Sequence, residues 1–479
     1  MLKLQLWPPR SEDAHMAGES VDLIAVGGGL AGLMAAGRAL DLGKSALVLE
    51  SEAEQKHLCA SRVNGGVFHL GFRSVMADPA ELAQIVIKAT SGFVEPRLAR
   101  ALADNSARAV RWLQSAGVEF TGMKPDEGWK DRVLAPLGFH QSTAMTWKGL
   151  GADRMMDRLE AYLIAKGGTL LRGVRATGLV LDGGSCRGVV ASGNRGKTVY
   201  HGRAVVLADG GFHGDSEMLR QFVTPHPEML KLRGTASGRG DGIRFAQEAG
   251  AKLIGMEQFY GHLLSADSLS RDNLSPFPFL DFLALAGVIV DDRGERFVDE
   301  GRGEHALANT LARHRSALAT VVFDEAMWNG AGRHFFCPPN PNLVDAGGTL
   351  HKANDLDSLA RLAGLPAAAL ERTIEAHNAT IAGGTLELLS PPRSAAKYKP
   401  QPFKTAPFYA APACAAITHT MGGVAVDDRA RVLRSDGRFI DGLYASGSTC
   451  GGLEGGPDFT YLGGLIKAAV FGMLAAEEQ

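Results

Sequence analysis

Cysteine is scarce. The chain has five (Cys59, Cys186, Cys337, Cys414 and Cys450), odd in number and widely spaced. They form no C-x-x-C, no zinc spacing and no haem-attachment C-x-x-C-H, so a reduced, cytoplasmic setting is the simplest expectation. Long apolar runs are missing as well. The longest, residues 277–290, is interrupted by Pro278 and Asp281, so no membrane span is expected. Neither sign of charge dominates: the formal net charge is −2, which leaves no nucleic-acid footprint. No fixed-period repeat is present. Residues 1–19 are polar, carry Pro8-Pro9 and lack the apolar core of a signal peptide, and they read as a mobile N-terminal arm with Met16 as a second possible start. What the chain has in plenty is glycine, 60 residues in a composition 45% hydrophobic and 21% charged. That is globular, rich in tight turns, and long enough for two or three domains.

The stretch 21–36 is an apolar run, a glycine turn and an alanine-rich run at helical spacing. Gly27, Gly29 and Gly32 fit G-x-G-x-x-G. Gly27 permits a tight turn, Gly29 lets the backbone approach a pyrophosphate, and Gly32 lets the helix lie against the strand. The helix N-terminus then offers N–H groups and a partial positive charge to phosphates. A second apolar strand, 45–50, ends on Glu50, where a carboxylate accepts hydrogen bonds from a ribose. An ordinary βαβ turn shares some of these features. Strand, glycines, helix, strand and acid in this order point to a bound dinucleotide.

Helical patterns fall at 79–90, 96–116, 153–166, 243–249, 367–382 and 464–476. Strand patterns fall at 169–171, 176–181, 186–191, 197–201, from 204, 287–290, 296–298, 319–323 and 442–446. The loop 54–75, dense in Gly, Asn, Ser and Arg, follows the second strand and should return over the ligand. From about 263 to 418 proline becomes frequent, which reads as an inserted domain.

Five stretches occur in order: Val26-Gly-Gly-Gly-Leu-Ala-Gly32, Val206-Leu-Ala-Asp-Gly-Gly-Phe212, Asp291-Asp-Arg-Gly-Glu-Arg-Phe-Val-Asp-Glu300, His419-Thr-Met-Gly-Gly-Val424 and Gly442-Leu-Tyr-Ala-Ser-Gly447. Together they resemble the fumarate reductase/succinate dehydrogenase flavoprotein superfamily, from about residue 20 to the end. Arg233-Gly-Thr with Gly240-Asp-Gly242, and Phe297-Val-Asp-Glu-Gly301, look most like its soluble tricarballylate-dehydrogenase-like branch. The resemblance implies that the dinucleotide is FAD. It implies an α/β fold, a Rossmann-type FAD-binding domain (20–262 and 419–479) with an inserted α+β capping domain (263–418), and an active site between them. The implied reaction is hydride exchange between flavin N5 and a C–C bond beside an electron-withdrawing group, with a proton moving on the neighbouring carbon. The implied substrate is a small organic acid or ketone. No haem motif, second flavin motif or nicotinamide-binding glycine motif is present in the sequence, so a separate electron donor or acceptor is expected.

For FAD, the resemblance implies contacts from Gly27, Gly29, Leu30, Ala31 and Gly32, and from Glu50 and Ser51. Ser61, Asn64, Gly65 and Gly66 lie in the loop expected near the flavin, and Val174 offers backbone bonds to adenine. Ala208, Asp209 and Gly210 form a second glycine turn. Gly447, Ser448, Leu462 and Gly463 complete the set, Ser448 standing where relatives place an acid on the ribityl chain. Residues 462–464 should start the terminal helix, with its N–H groups toward the flavin's pyrimidine oxygen. Cys59 lies roughly where membrane-complex relatives attach FAD through a His, and an inert, partly buried thiol is expected rather than a covalent link.

For catalysis, His419 matches the family His that binds a substrate carboxylate or carbonyl, the alternative being a structural His at a domain hinge. His262 resembles a second substrate-binding His, with Tyr260 as its rival. Arg302 follows the Asp299-Glu300 pair, after which an Arg delivers the proton in fumarate reductases, and Glu304 and His305 are its rivals. A neutral Arg is a poor base, so a carboxylate or Tyr is chemically easier for a dehydrogenase. Tyr461 stands where fumarate reductases carry a second carboxylate-clamping Arg, and a phenol does not replace a bidentate guanidinium. Residues 280–286 read as apolar, without the family's Arg–Glu relay. Fumarate and succinate are therefore not expected. A substrate with one carboxylate or carbonyl and a more apolar body fits better. A ketosteroid-type dehydrogenase and a flavin electron-transfer subunit needing a protein partner are the alternatives.

Overall fold

The computed structural model describes residues 20–123, 128–137, 147–194, 196–334 and 337–478. The arm expected at 1–19 lies outside them. The opening stretch folds as strand Ser20–Val26, helix Leu30–Asp41 and strand Ala46–Glu50. Ser20–Val26 lies between Ala46–Glu50 and Gly196–Leu207, parallel to both. Thr169–Arg172 adds outside Ala46–Glu50, and Phe439–Ala445 outside Gly196–Leu207, again in parallel. A parallel sheet is covered on both faces, which is why these strands are nearly continuous apolar runs. It also brings the carboxyl ends of its strands to one edge, where ligands bind in open α/β sheets. Val26, Glu50, Leu207 and Ala445 end there, each running into a turn expected to hold the cofactor.

The structure joins what the sequence pattern divides. The strands expected at 197–201 and from 204 are one strand, Gly196–Leu207. Gly202, between them, is pressed on Ile24: a Cβ there would lie 2.9 Å from that side chain. Its first half pairs antiparallel with Ser185–Gly193, which pairs with Arg175–Asp182. The strand expected at 296–298 is only an isolated bridge between Val290 and Arg296. Arg296 is instead drawn into a buried ion pair, its Nε 2.9 Å from Glu300. The terminal helix, Gly464–Glu477, is apolar almost all round because it is buried almost all round. It crosses helix Leu30–Asp41 so closely that a Cβ at Gly472 would lie 2.5 Å from the Ala31 carbonyl oxygen.

A second sheet is built on strand Phe408–Thr420. It pairs antiparallel with Phe259–Ser265, Leu318–Asp324 and His351–Ala353, and parallel with Lys231–Leu232. Val288–Val290 closes the far edge against Leu318–Asp324. The junctions expected at 262/263 and 418/419 both fall inside the pair Phe259–Ser265 and Phe408–Thr420. Helix Glu304–Arg313 packs beside that pair. Among the described residues no helix is long and apolar enough to cross a membrane.

Candidate active site

One continuous cavity runs along the carboxyl edge of the parallel sheet and turns toward the second sheet. Its first end is shaped by glycine. Gly27 has φ +105°, and a Cβ there would lie 2.6 Å from the Ala208 carbonyl oxygen. At Gly32 a Cβ would lie 2.0 Å from the Gly27 oxygen, so helix Leu30–Asp41 starts this close to the turn only because the side chain is absent. Gly29 is the N-cap and supplies no side-chain cap. The Leu30 N–H donates to Ser61 Oγ at 3.0 Å, tying the returning loop to the helix start. Buried Arg62 anchors that loop through Asp153, Asp157 (2.8 Å) and Glu160 (3.0 Å).

The buried Glu50 carboxylate accepts the Gly28 and Glu52 N–H groups, both at 2.8 Å. The Val174 N–H donates to the Glu50 carbonyl at 2.9 Å, so an adenine bond would fall to its own carbonyl. Asn64 is engaged within its loop, donating to the Ser61 carbonyl and accepting from the Gly66 N–H at 2.8 Å each. Asp209 accepts the Gly242 N–H at 2.8 Å, and burial pushes its carboxyl up to about 6. Burial pushes the Cys59 thiol up to about 12, which fits an inert thiol.

Of the residues expected at FAD, Gly27, Gly29, Ala31, Glu50, Ser51, Ser61, Asn64, Gly65, Gly66, Val174, Ala208, Asp209, Gly210, Gly447 and Ser448 line this cavity. Leu30, Gly32, Leu462 and Gly463 do not. The Leu462 N–H is 3.3 Å from Glu454 Oε2, and a Cβ at Gly463 would lie 2.2 Å from the His69 carbonyl oxygen. Their part is to set the start of the terminal helix, whose Gly464, Leu465 and Ala468 reach the cavity. A glycine cradle at one helix start and a second helix start at the other end fit an extended dinucleotide such as FAD.

At the second end the paired strands Phe259–Ser265 and Phe408–Thr420 bring the polar set together. His419 pairs in register with Tyr260, and the Tyr260 ring stacks on Tyr461 with centroids 4.1 Å apart. The His419 Nε2 is 3.3 Å from Glu454 Oε1, and the buried Lys467 ammonium binds the same oxygen. Burial alone would raise the Glu454 carboxyl, but Lys467 and His419 outweigh it and hold it at about 2. Burial lowers His419, against the pull of Glu454. The Tyr461 hydroxyl accepts the Gly464 N–H at 2.9 Å. The His305 Nδ1 is 2.8 Å from the Gly261 carbonyl, which fixes the proton on that nitrogen. Glu304 accepts the Tyr398 hydroxyl at 2.9 Å. Arg233 donates to Thr418 Oγ1 at 3.0 and 2.7 Å and lies 5.4–5.6 Å from the rings of Tyr260, Phe277 and Phe279.

His419, His262 and Tyr461 thus meet at one wall, with Tyr260, Glu304 and His305 beside them. Arg302 does not join them. Its Nε is 3.0 Å from Asp458, and it also binds the Pro457 carbonyl, on an exposed loop. Four residues escaped the sequence reading. Arg233 lies in a glycine turn cluster that marks only the family resemblance, and Asp281 in an otherwise apolar stretch. Glu454 and Lys467 carried no motif. Two buried charges thirteen positions apart across a glycine-rich loop were the only signal.

The fold and the cavity define a flavoprotein of the Rossmann type. The family model described as "FAD binding domain" matches residues 22–458, and the chain belongs to that family, with FAD as its cofactor. The expected kinship with the fumarate reductase/succinate dehydrogenase flavoproteins is borne out. The chain is 27% identical to the NADH:acrylate oxidoreductase of Vibrio harveyi, over 96% of this chain and 50% of that protein. It therefore spans half the length of that relative. It is also 27% identical to the 4-oxocyclohexanecarboxylate 2-dehydrogenase of Sinomonas cyclohexanicum, over 89% of this chain and 87% of that one. The solved 3-ketosteroid Δ1-dehydrogenase of Sterolibacterium denitrificans shares the fold, with a TM-score of 0.71 at 20% identity, over 96% and 99% of the two chains.

Proposed function

We propose that the protein is an FAD-dependent oxidoreductase that acts on a C–C bond α,β to a carboxylate or carbonyl of an organic acid or ketone other than fumarate or succinate. FAD, when bound, supplies the two-electron hydride chemistry. The observation that carries the substrate class is the pairing of one guanidinium with aromatic walls. Arg233 is held by Thr418 among Tyr260, Phe277 and Phe279, while Tyr461 occupies the wall where a second clamp is expected. Arg233 would take a carboxylate or carbonyl through charge-assisted hydrogen bonds. The rings would take a flat, apolar body and keep water out. His419, fixed by Glu454, would polarise the group that withdraws electrons. The 27% identity to relatives named for acrylate and 4-oxocyclohexanecarboxylate supports one anionic group per substrate. The free cysteines support a reducing, cytoplasmic setting, and a separate electron donor or acceptor would complete turnover.

The test is flavin bleaching under argon. The FAD-loaded protein should be bleached by 4-oxocyclohexanecarboxylate or a related saturated acid or ketone, or, once reduced, be reoxidised by acrylate or a cinnamate. Succinate and fumarate should do neither. Response only to a protein donor would replace this reading with an electron-transfer subunit.

A further inference from the structure

The second end of the cavity holds a buried hydrogen-bonded chain that the expected roles leave unused. Tyr260 and His262 stand two positions apart on strand Phe259–Ser265, so both face the same side. The His262 Nε2 is 3.3 Å from the Tyr260 hydroxyl, and its Nδ1 is 2.9 Å from Asp281 Oδ2. The other Asp281 oxygen accepts the Leu263 N–H at 2.8 Å, which fixes the carboxyl in place. Asp281 is the first residue of helix Asp281–Ala286 and is buried, out of reach of bulk solvent. Tyr260 borders the cavity, with Tyr461 stacked on it and Arg233 5.6 Å from its ring.

Other proton carriers are less well placed. Arg302 is outside the cavity. His419 leans on a carboxylate that Lys467 already neutralises. Resting on the C–C oxidoreductase reading above, we propose that Tyr260 is the catalytic acid–base for the carbon next to the hydride-exchanging one, with His262 and Asp281 as its proton relay.

In the oxidative direction the C–H bond beside the withdrawing group breaks. Its proton goes to the Tyr260 oxygen while the Tyr260 hydroxyl proton passes to His262 Nε2. The electron pair left on that carbon closes the C=C bond as the neighbouring carbon gives up its hydride, the two-electron acceptor being FAD. His262 ends as an imidazolium whose Nδ1–H faces the Asp281 carboxylate. In the reductive direction the imidazolium returns its Nε2 proton to the Tyr260 oxygen as the hydroxyl proton is delivered to carbon. The Arg233 guanidinium favours negative charge on Tyr260, and the Asp281 carboxylate favours positive charge on His262.

The titratable groups around the relay are Arg233, Glu304, His305, Tyr398, His419 and Tyr461. Burial pushes Asp281 up to about 8 and pushes His262 well below the usual imidazole range. The oxidative half-reaction therefore gains rate as pH rises through about 8, where Asp281 ionises. The reductive half-reaction loses rate over the same interval.

The experiment uses the FAD-loaded protein, with 4-oxocyclohexanecarboxylate as the bleaching probe and acrylate as the reoxidising probe, both followed by stopped flow across pH. Y260F should still perturb its flavin spectrum on binding the probe, while the half-reaction slows by about 10²–10⁴-fold. D281N should lose the pH-dependent limb. It should also lose a downfield imidazole N–H proton resonance, which reports the His262–Asp281 bond without any turnover. A Y260F half-reaction within tenfold of the unsubstituted protein overturns the relay. So does a D281N profile that keeps the limb, which decides the matter if Y260F fails to hold FAD. An unsubstituted protein that responds to neither probe removes the C–C reading and the relay with it. A normal response that Y260F and D281N leave unchanged removes the relay alone.

Discussion

His419 and Arg302 both sit in motifs, and the structure separates them by what surrounds each. His419 is buried, oriented by Glu454, and beside Tyr461. Arg302 is half-buried and spends its donors on a surface loop. H419A should keep its FAD yet lose about 10²–10³-fold in turnover, as removal of a group that stabilises developing charge does. R302A should keep turnover within about twofold and stability within about 1 kcal/mol, the range of an exposed ion pair. Absorbance of bound flavin and steady-state rates check both. At this scale the sequence showed residues that sit in motifs, such as His419 and Tyr461. It hid Arg233 and Asp281, because a lone charge in a loop or on a short apolar helix looks the same whether it meets solvent or a buried partner. Only the fold supplies the partner.

Among elements, the start of the terminal helix matters most for the site. Lys467 lies in its first turn and neutralises Glu454, which in turn holds His419 and the Leu462 N–H. K467A leaves the buried Glu454 carboxylate without its cation and should cost about 3–5 kcal/mol in urea unfolding. Glu454 titrates at about 2 when folded, below the ordinary value of 4.5. Its contribution is thus fully present above about 4.5 and is lost as pH falls toward about 2, and K467A should flatten that acid limb. The helices were legible because their periodicity and caps are local. Asp78, for example, accepts the Ala80 and Glu81 N–H groups at 2.9 and 3.1 Å. Strand Phe408–Thr420 was not legible. Its run of alanines with Pro412 has poor β propensity, and it is a strand because partners on both sides supply the ladder.

Over the whole molecule, the cavity passes between the parallel sheet and the second sheet, so cofactor binding is coupled to the stability of both. Removing FAD should lower the unfolding temperature, and restoring it at a hundredfold excess over Kd should return about 2.7 kcal/mol. A single shifted transition would show both sheets melting together, whereas two transitions would show them uncoupled. The strands of the parallel sheet are legible from their apolar runs and glycine turns, and their order comes from the ladder alone. The second sheet is hidden in the sequence because its central member draws its partners from residues 231 to 353.

The paired strands Phe259–Ser265 and Phe408–Thr420 also decide how this architecture can be recombined. Cut points at 262/263 and 418/419 would sever both strands in mid-ladder and leave Tyr260 and His419 on one parent, with Asp281 and His305 on the other. A graft that moves residues 259–420 as one block keeps the register of these two strands and carries Tyr260, His262, Asp281, His305 and His419 together, while Arg233, Glu454, Tyr461 and Lys467 stay with the host. Substrate preference should therefore travel with that block only where the host matches it with an Arg at 233 and a Tyr at 461, while the glycine cradle stays behind with the host.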